Sequence, residues 1–242
     1  NLIYKSLSTF FKEVGRTMPD VSIISRNNIP LSRGLGSSSA AIVSGLVAGN
    51  ELCERPLNNM QLLKLAAQIE GHPDNVAPAL LGGFQIVVND SERLVTQTVN
   101  ITSKLKAVLF IPEIPMSTNH ARNILAKDVE RKDAVYNISR TALLISSLIN
   151  GTLGNLRIAT QDKLHQPARQ SLFPPMYKIF EKAYKAGASG VFLSGGGSTI
   201  LALAQKNFES IGEAMQKEAE TFNINGILDE VTVAVKGAHL ID

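Results

Sequence analysis

Three consecutive serines, Ser37, Ser38 and Ser39, follow two glycines in the stretch Pro30-Leu31-Ser32-Arg33-Gly34-Leu35-Gly36-Ser37-Ser38-Ser39-Ala40. Gly34 and Gly36 let the backbone approach an anion closely, and the serines fall where a helical pattern begins. The free N–H groups of a first helical turn, the serine hydroxyls and the positive end of the helix dipole all favour negative charge there. Phosphate binding by Pro30, Leu31, Ser32, Arg33, Gly34, Leu35, Gly36, Ser37, Ser38 and Ser39 is the chemistry this predicts. No Gly-Lys-Ser/Thr follows the glycines, so the loop is not a Walker loop. A glycine turn with a serine cap is the plainer alternative; the serine run, the proline and the Ala40-Ala41 start weigh against it.

Further polar groupings could do chemistry. Glu70-Gly71-His72-Pro73-Asp74-Asn75 brings two carboxylates, an imidazole and an amide into one turn, though Gly, Pro, Asp and Asn are also ordinary turn residues. Glu70 with Ser38 offers the hard oxygen ligands that suit Mg²⁺. In Ser117-Thr118-Asn119-His120-Ala121-Arg122, Thr118 and Arg122 share a helix face. A guanidinium beside a hydroxyl can take a carboxylate or phosphate in bidentate fashion, or the pair can be a cap and a solvated arginine. Asp162-Lys163-Leu164-His165-Gln166-Pro167-Ala168-Arg169 places another arginine just after a proline turn and is bland as an isolated segment. Ser194-Gly195-Gly196-Gly197-Ser198 is either a tight turn or a place where a ligand touches backbone. The four histidines lack hydrolase context, the serine loop is not Gly-x-Ser-x-Gly, and no His/Cys cluster has metal spacing.

The elements that must position these groups follow from periodicity. Helical spacing covers residues 2–15, and Val21 to Ser25 alternates as a strand feeding the serine loop. Residues 38–54 and 59–70 read as helices broken at Pro56, and Gly71 to Asn75 stops the second. Val76 to Leu81 leads to Gly82-Gly83, then Phe84–Val88 and Leu94–Val99 form a hairpin through Asn89 to Arg93. A composition break near Thr102–Lys106 sets the expected domains, 1–103 and 104–242. Ala107–Pro112 reads as a buried strand, Ser117 caps a helix carrying Arg122, and residues 131–150, 154–164 and 174–186 read as helices. Strands follow at 191–193 and 199–204, a helix at 208–222 and a last strand at Val231–Val235. That order suits an α+β sandwich, with helices on one face of an antiparallel sheet.

The chain has 242 residues, 44% of them hydrophobic and 19% charged, which describes an ordinary globular protein able to bury a sizeable core. A net charge of +3 without a Lys/Arg cluster gives no argument for nucleic acid. The single cysteine, Cys53, excludes an internal disulfide framework and any cysteine zinc site. No apolar run is long enough for a membrane span and no signal peptide is evident, so the cytoplasm is the default setting. The chain opens without methionine, directly in a helix, and an upstream segment is expected.

Taken together, these segments resemble the homoserine kinases of the GHMP small-molecule kinase superfamily. Pro30 to Ala40 matches the superfamily's Pro-x-x-x-Gly-Leu-Gly-Ser-Ser-x-Ala, and Ser194 to Ser198 matches its C-terminal glycine motif. Glu70 to Ala79 with Gly82-Gly83-Phe84, Ser117-Thr118-x-x-x-Arg122 and His165-Gln166-Pro167-x-Arg169 look like the homoserine kinase branch. The family's first motif lies upstream of Asn1. The resemblance implies a two-domain GHMP fold, with an N-terminal α+β domain carrying the atypical phosphate loop and a C-terminal ferredoxin-like sandwich. It further implies ATP-dependent phosphorylation of the side-chain hydroxyl of L-homoserine, for threonine synthesis, with Mg²⁺ held by Ser38 and Glu70. Thr118, Arg122, Arg169 and Gly196 would face the amino-acid substrate, and the two arginines the transferring group as well. His72 and Asn75 would lie against its amine or hydroxyl. Mevalonate kinase relatives carry an aspartate base where this chain has Asn75, so this branch works without a conventional base there, Asp74 being the lesser candidate. Homodimers are common among the relatives. Another GHMP kinase activity, or a nucleotide-binding regulator on the same fold, are the competing readings.

Overall fold

Apolar side chains at helical spacing over the first residues become α1, Leu2–Glu13, whose N-terminus is capped by Asn1 accepting from the amides of Ile3 and Tyr4. The computed structural model describes residues 1–241 except 91, 92, 102 and 103, and not the side chain of Thr118. The chain divides into two units, each assembled from more than one segment. The first comprises Asn1–Ile29, Gly36–Val99 and Val233–Asp242, the second Pro30–Leu35 and Asn100–Thr232.

In the first unit α1 packs on α2, Ser37–Leu52, followed by α3, Asn59–Glu70, and α4, Val76–Leu81. Leu7, Phe10, Ile42, Leu46 and Leu63 form a core from three of these helices. Asn58 and Gln61 start α3 as a reciprocal capping box, and Gly71 ends it in the left-handed conformation. The hairpin is as expected: β1, Phe84–Asp90, pairs antiparallel with β2, Arg93–Val99, from Phe84↔Val99 to Asp90↔Arg93, and Ser91 and Glu92 of its connection lie outside the described residues. The last segment returns to this unit, Gly83 N donating to Ala234 O at 2.7 Å and Ala238 N to Ala79 O at 2.9 Å.

In the second unit β3, Lys106–Pro112, is followed by α5, Thr118–Asn123, α6, Arg131–Asn150, a 3₁₀ turn Leu153–Asn155, α7, Leu156–Ala159, α8, Gln166–Arg169, and α9, Met176–Lys185. Then come β4, Gly190–Leu193, β5, Ile200–Ala204, α10, Phe208–Glu220, and β6, Gly226–Val231. The sheet runs β4-β5-β3-β6 with every pair antiparallel, the ferredoxin-like order. Helices α9 and α10 pack together against it, around Phe110, Met176, Ile179, Ile200, Ile211 and Met215.

Three expectations about elements fail. Val21 to Ser25 is not a strand: no ladder reaches it among the described residues, and Ile24 is 88% exposed. Alternation alone cannot make a strand without a neighbour to satisfy its amides. The final strand is Gly226–Val231, not Val231–Val235, because β3 pairs with it from Ala107↔Val231 to Pro112↔Gly226. The expected helix over 154–164 stops at Ala159, and the chain turns through Asp162, whose carboxylate accepts from the His165 and Gln166 amides where α8 begins. Among the described residues no helix is long and apolar enough to cross a membrane.

Candidate active site

Two sets of candidate residues emerge, one in each unit. In the first unit Gly36, at φ +75°, turns the chain into α2 with no side chain capping it, so the amides of Ser37, Ser38 and Ser39 open a 16-residue helix. Ser38 Oγ donates to Glu70 Oε1 at 2.6 Å and the buried Ser39 Oγ donates to the same oxygen at 3.2 Å. The hydroxyl–carboxylate pair expected from sequence is thus present, joining the start of α2 to the end of α3. Both hydroxyls use one carboxylate oxygen and leave Oε2 without a hydrogen-bond partner among the described residues.

Just beyond, His72 Nδ1 meets Asp74 Oδ1, and the same oxygen accepts from the Asn75 amide at 2.9 Å. Asp74 is therefore tied to its neighbours through one oxygen. Asn75 stands before α4 with its side chain exposed and not capping the helix. The turn-chemistry explanation accounts for Asp74, and leaves the Asn75 side-chain amide uncommitted.

In the second unit the loop Pro30–Leu35 lies against the glycine segment between β4 and β5. Ser194 Oγ donates to Gly34 O at 2.8 Å, Thr199 N to Arg33 O at 3.2 Å and Met116 N to Ser32 O at 2.8 Å. A Cβ on Gly34 would stand 2.1 Å from Ser194 O, so only glycine fits. The two glycine motifs, far apart in sequence, are one structure here. Arg33 is spent on that loop: Nε donates to Pro112 O at 2.7 Å and the Nη atoms to Glu113 O at 3.0 Å and Leu31 O at 3.1 Å. Its side chain shapes the loop through these carbonyls.

Arg169, at the end of α8, is only 7% exposed. Its Nε donates to Ala121 O at 3.2 Å, and Nη1 to Gly195 O at 2.9 Å and to His165 Nδ1 at 2.8 Å. Nη2 keeps both N–H donors without an acceptor among the described residues. Arg122, on α5, is exposed and has no hydrogen-bond or ion-pair partner among the described residues. Burial lowers the proton affinity of Arg169, Asp162 opposes that, and the neighbouring positive charge of Arg122 adds to the lowering. Gly196 is half-buried in the glycine segment whose Gly195 carbonyl takes Arg169. The Thr118 side chain lies outside the described residues, so its pairing with Arg122 does too.

Sequence reasoning passed over the support of Arg169. Asp162 Oδ2 accepts from the amides of Gln166 at 2.6 Å and His165 at 2.9 Å, and Oδ1 from Asn137 at 2.6 Å. Burial raises its proton affinity, but these hydrogen bonds from Asn137, Gln166 and His165 outweigh it and hold the carboxyl below its ordinary value. Gln166 is buried and accepts from Leu193 N at 2.9 Å, fixing α8 to β4. The legible signals were an aspartate just before a Pro-containing first turn, and a His–Arg pair at helical i,i+4 spacing.

Two family models match this chain: the GHMP kinases N terminal domain over residues 1–83 and the GHMP kinases C terminal over residues 144–221. The homoserine kinase of Desulfitobacterium hafniense is 41% identical over 242 residues, 100% of this chain and 82% of that protein. The homoserine kinase of Caldicellulosiruptor bescii is 44% identical over 209 residues, 86% of this chain and 68% of that protein. The crystal structure of homoserine kinase from Cytophaga hutchinsonii aligns with a TM-score of 0.86 at 30% identity, covering 98% of this chain and 77% of that one. The class that fold and loop define is the GHMP kinases, phosphotransferases built on an N- and a C-terminal domain. Within that class, the chain belongs to the homoserine kinase family.

Proposed function

We propose that this chain transfers the γ-phosphoryl group of ATP to the side-chain hydroxyl of L-homoserine, giving O-phospho-L-homoserine. The observation that carries this reading is the 41% identity to a homoserine kinase over the whole chain. The arginines add to it: Arg169 Nη2 and Arg122, which has no partner among the described residues, supply positive donors for an amino-acid carboxylate.

The amides and hydroxyls opening α2 take the phosphates of the donor, and the dipole of a 16-residue helix supports the charge. Ser38 and Glu70 present a hydroxyl and a carboxylate at 2.6 Å, hard oxygen donors suited to Mg²⁺, which takes few protein ligands and completes its shell with water and phosphate. An ion held there would supply positive charge against the phosphates of the donor. Arg169 and Arg122 orient the substrate carboxylate and stabilise the negative charge of the transferring group. Gly196 and Thr118 belong to the same substrate set, and His72 and Asn75 are assigned to its amine or hydroxyl. Asn75 is an amide and takes no proton. Positioning and electrostatics supply most of the rate, with the hydroxyl proton going to phosphate or water and Asp74 as the lesser candidate base. A cytoplasmic setting and a homodimer complete the proposal, the latter checked by sedimentation.

A coupled ADP-release assay with Mg-ATP and L-homoserine, mevalonate or L-serine tests it. Turnover selective for L-homoserine is expected; ATP binding without turnover of any of the three overturns it in favour of a regulator.

A further inference from the structure

Arg169 is held by groups that the proposed reaction does not use. Its guanidinium has only donors, so the 2.8 Å contact from Nη1 to His165 Nδ1 requires that nitrogen to be bare and its proton to sit on Nε2. A doubly protonated ring cannot accept this bond. On its other side, His165 Nε2 stands 3.6 Å from Asp162 Oδ1, an attractive partner for a charged ring. The imidazole therefore has two arrangements open to it. Neutral, it accepts from Arg169; protonated, it is repelled by Arg169 and drawn to Asp162.

We propose that His165 is a positioning residue, which in its neutral form aims Arg169 Nη2 at the substrate carboxylate and on protonation releases Arg169, setting the acid limit of homoserine binding. This rests on the reading of Arg169 as a carboxylate ligand given above. The groups facing His165 agree with it. Burial lowers its proton affinity, Asp162 opposes that, and Arg169 lowers it further, so the ring is neutral at physiological pH. Arg122 acts in turn on Arg169. Around Asp162 stand Tyr177 of α9, with Tyr136 of α6 nearby, and burial first, then Asp162 and Tyr136, hold the Tyr177 hydroxyl protonated. Lys163 pairs with Asp133 and lies over the Tyr136 ring. Of these groups, His165 is the one whose ordinary titration, near 6.5, falls within the working range of the enzyme.

The test is the KM for L-homoserine from about pH 5 to about pH 8.5 in the wild type, His165→Asn, His165→Ala and Arg169→Ala. The side chain introduced by His165→Asn offers an oxygen near the place of Nδ1 and does not titrate. In the wild type, KM should climb about tenfold per pH unit below the His165 transition. His165→Asn should keep KM within about threefold of the wild type at neutral pH and lose the climb, while His165→Ala should raise KM about tenfold at every pH with kcat little changed. A climb that persists in His165→Asn, or a KM that falls in acid, overturns the proposal. An unchanged KM in Arg169→Ala overturns the carboxylate reading beneath it. The imidazole ¹⁵N shifts of the wild type give an answer independent of any variant: a bare Nδ1 at neutral pH is expected, and a proton on Nδ1 overturns the proposal.

Discussion

The two sets of candidate residues are built in opposite ways. At the start of α2 the donors are backbone amides and short hydroxyls, presented by one turn and backed by Glu70 and, at Ser37, by Asn27. Around Arg169 the reactive group is a long side chain, buried and tied to carbonyls 48 and 26 residues away. Under the proposed function the first arrangement would gather a mobile polyanion, whose many oxygens tolerate several donor positions. The second would have to hold one nitrogen in place, and long-range contacts fix it in advance, the kind of preorganisation that can discriminate between small substrates. This difference predicts that the second set is the more brittle.

The largest expected effect is therefore at Arg169. Arg169→Ala should lower kcat/KM for L-homoserine about 10²–10³-fold, as removal of one preorganised donor does elsewhere. Arg169→Lys should recover little, because an ammonium cannot reach Ala121 O, Gly195 O and His165 together. A lysine variant with near-normal kinetics would show that charge alone matters there.

Glu70→Ala should come next, raising the KM for Mg-ATP about 10–100-fold and steepening the dependence on Mg²⁺ concentration. A variant altered in melting temperature but unchanged in Mg²⁺ dependence would reduce Glu70 to a partner of the two serines.

The two motif glycines separate the regions again. Gly34→Ala forces a Cβ to within 2.1 Å of Ser194 O, so backbone must move, at a cost above about 2 kcal/mol measured by denaturant unfolding. Gly36→Ala meets nothing within 4 Å and carries only the left-handed strain of φ +75°, about 1–2 kcal/mol. Equal losses would contradict the contrast.

The smallest effect is on acid stability. His165 binds its proton less readily folded than unfolded, so its contribution is complete above about pH 6.5 and is lost as pH falls toward the lowered folded value. Asp162 behaves likewise below 3.8, its lowered folded value marking the end of the loss. Melting curves of the wild type should shift downward in the first window, and those of His165→Asn should not.

How far the sequence revealed the molecule follows the same division. The serine loop and the β1–β2 hairpin were legible because each rests on local spacing and turn chemistry, and Glu70 was paired with Ser38, 32 residues away, on its oxygen-ligand chemistry. Val21–Ser25 misled because its alternation has no partner strand, and Val231–Val235 because Gly226–Val231, with its Asp229 and Glu230, alternates less clearly yet pairs with β3. Asp162 and His165 were passed over although their spacing to Gln166 and Arg169 is local, whereas the carbonyls that hold Arg169 and Arg33 were invisible because they come from distant parts of the sequence.

The most direct measurement is the KM for L-homoserine and the KM for Mg-ATP, determined side by side in Arg169→Ala and Glu70→Ala. Two separately built ligand sets predict a crossed result: Arg169→Ala raises the homoserine KM and leaves that for Mg-ATP within about threefold, and Glu70→Ala does the reverse. If each variant raises both constants alike, or if Arg169→Ala moves only the Mg-ATP value, the assignment of Arg169 to the amino acid and of Glu70 to the phosphates is contradicted.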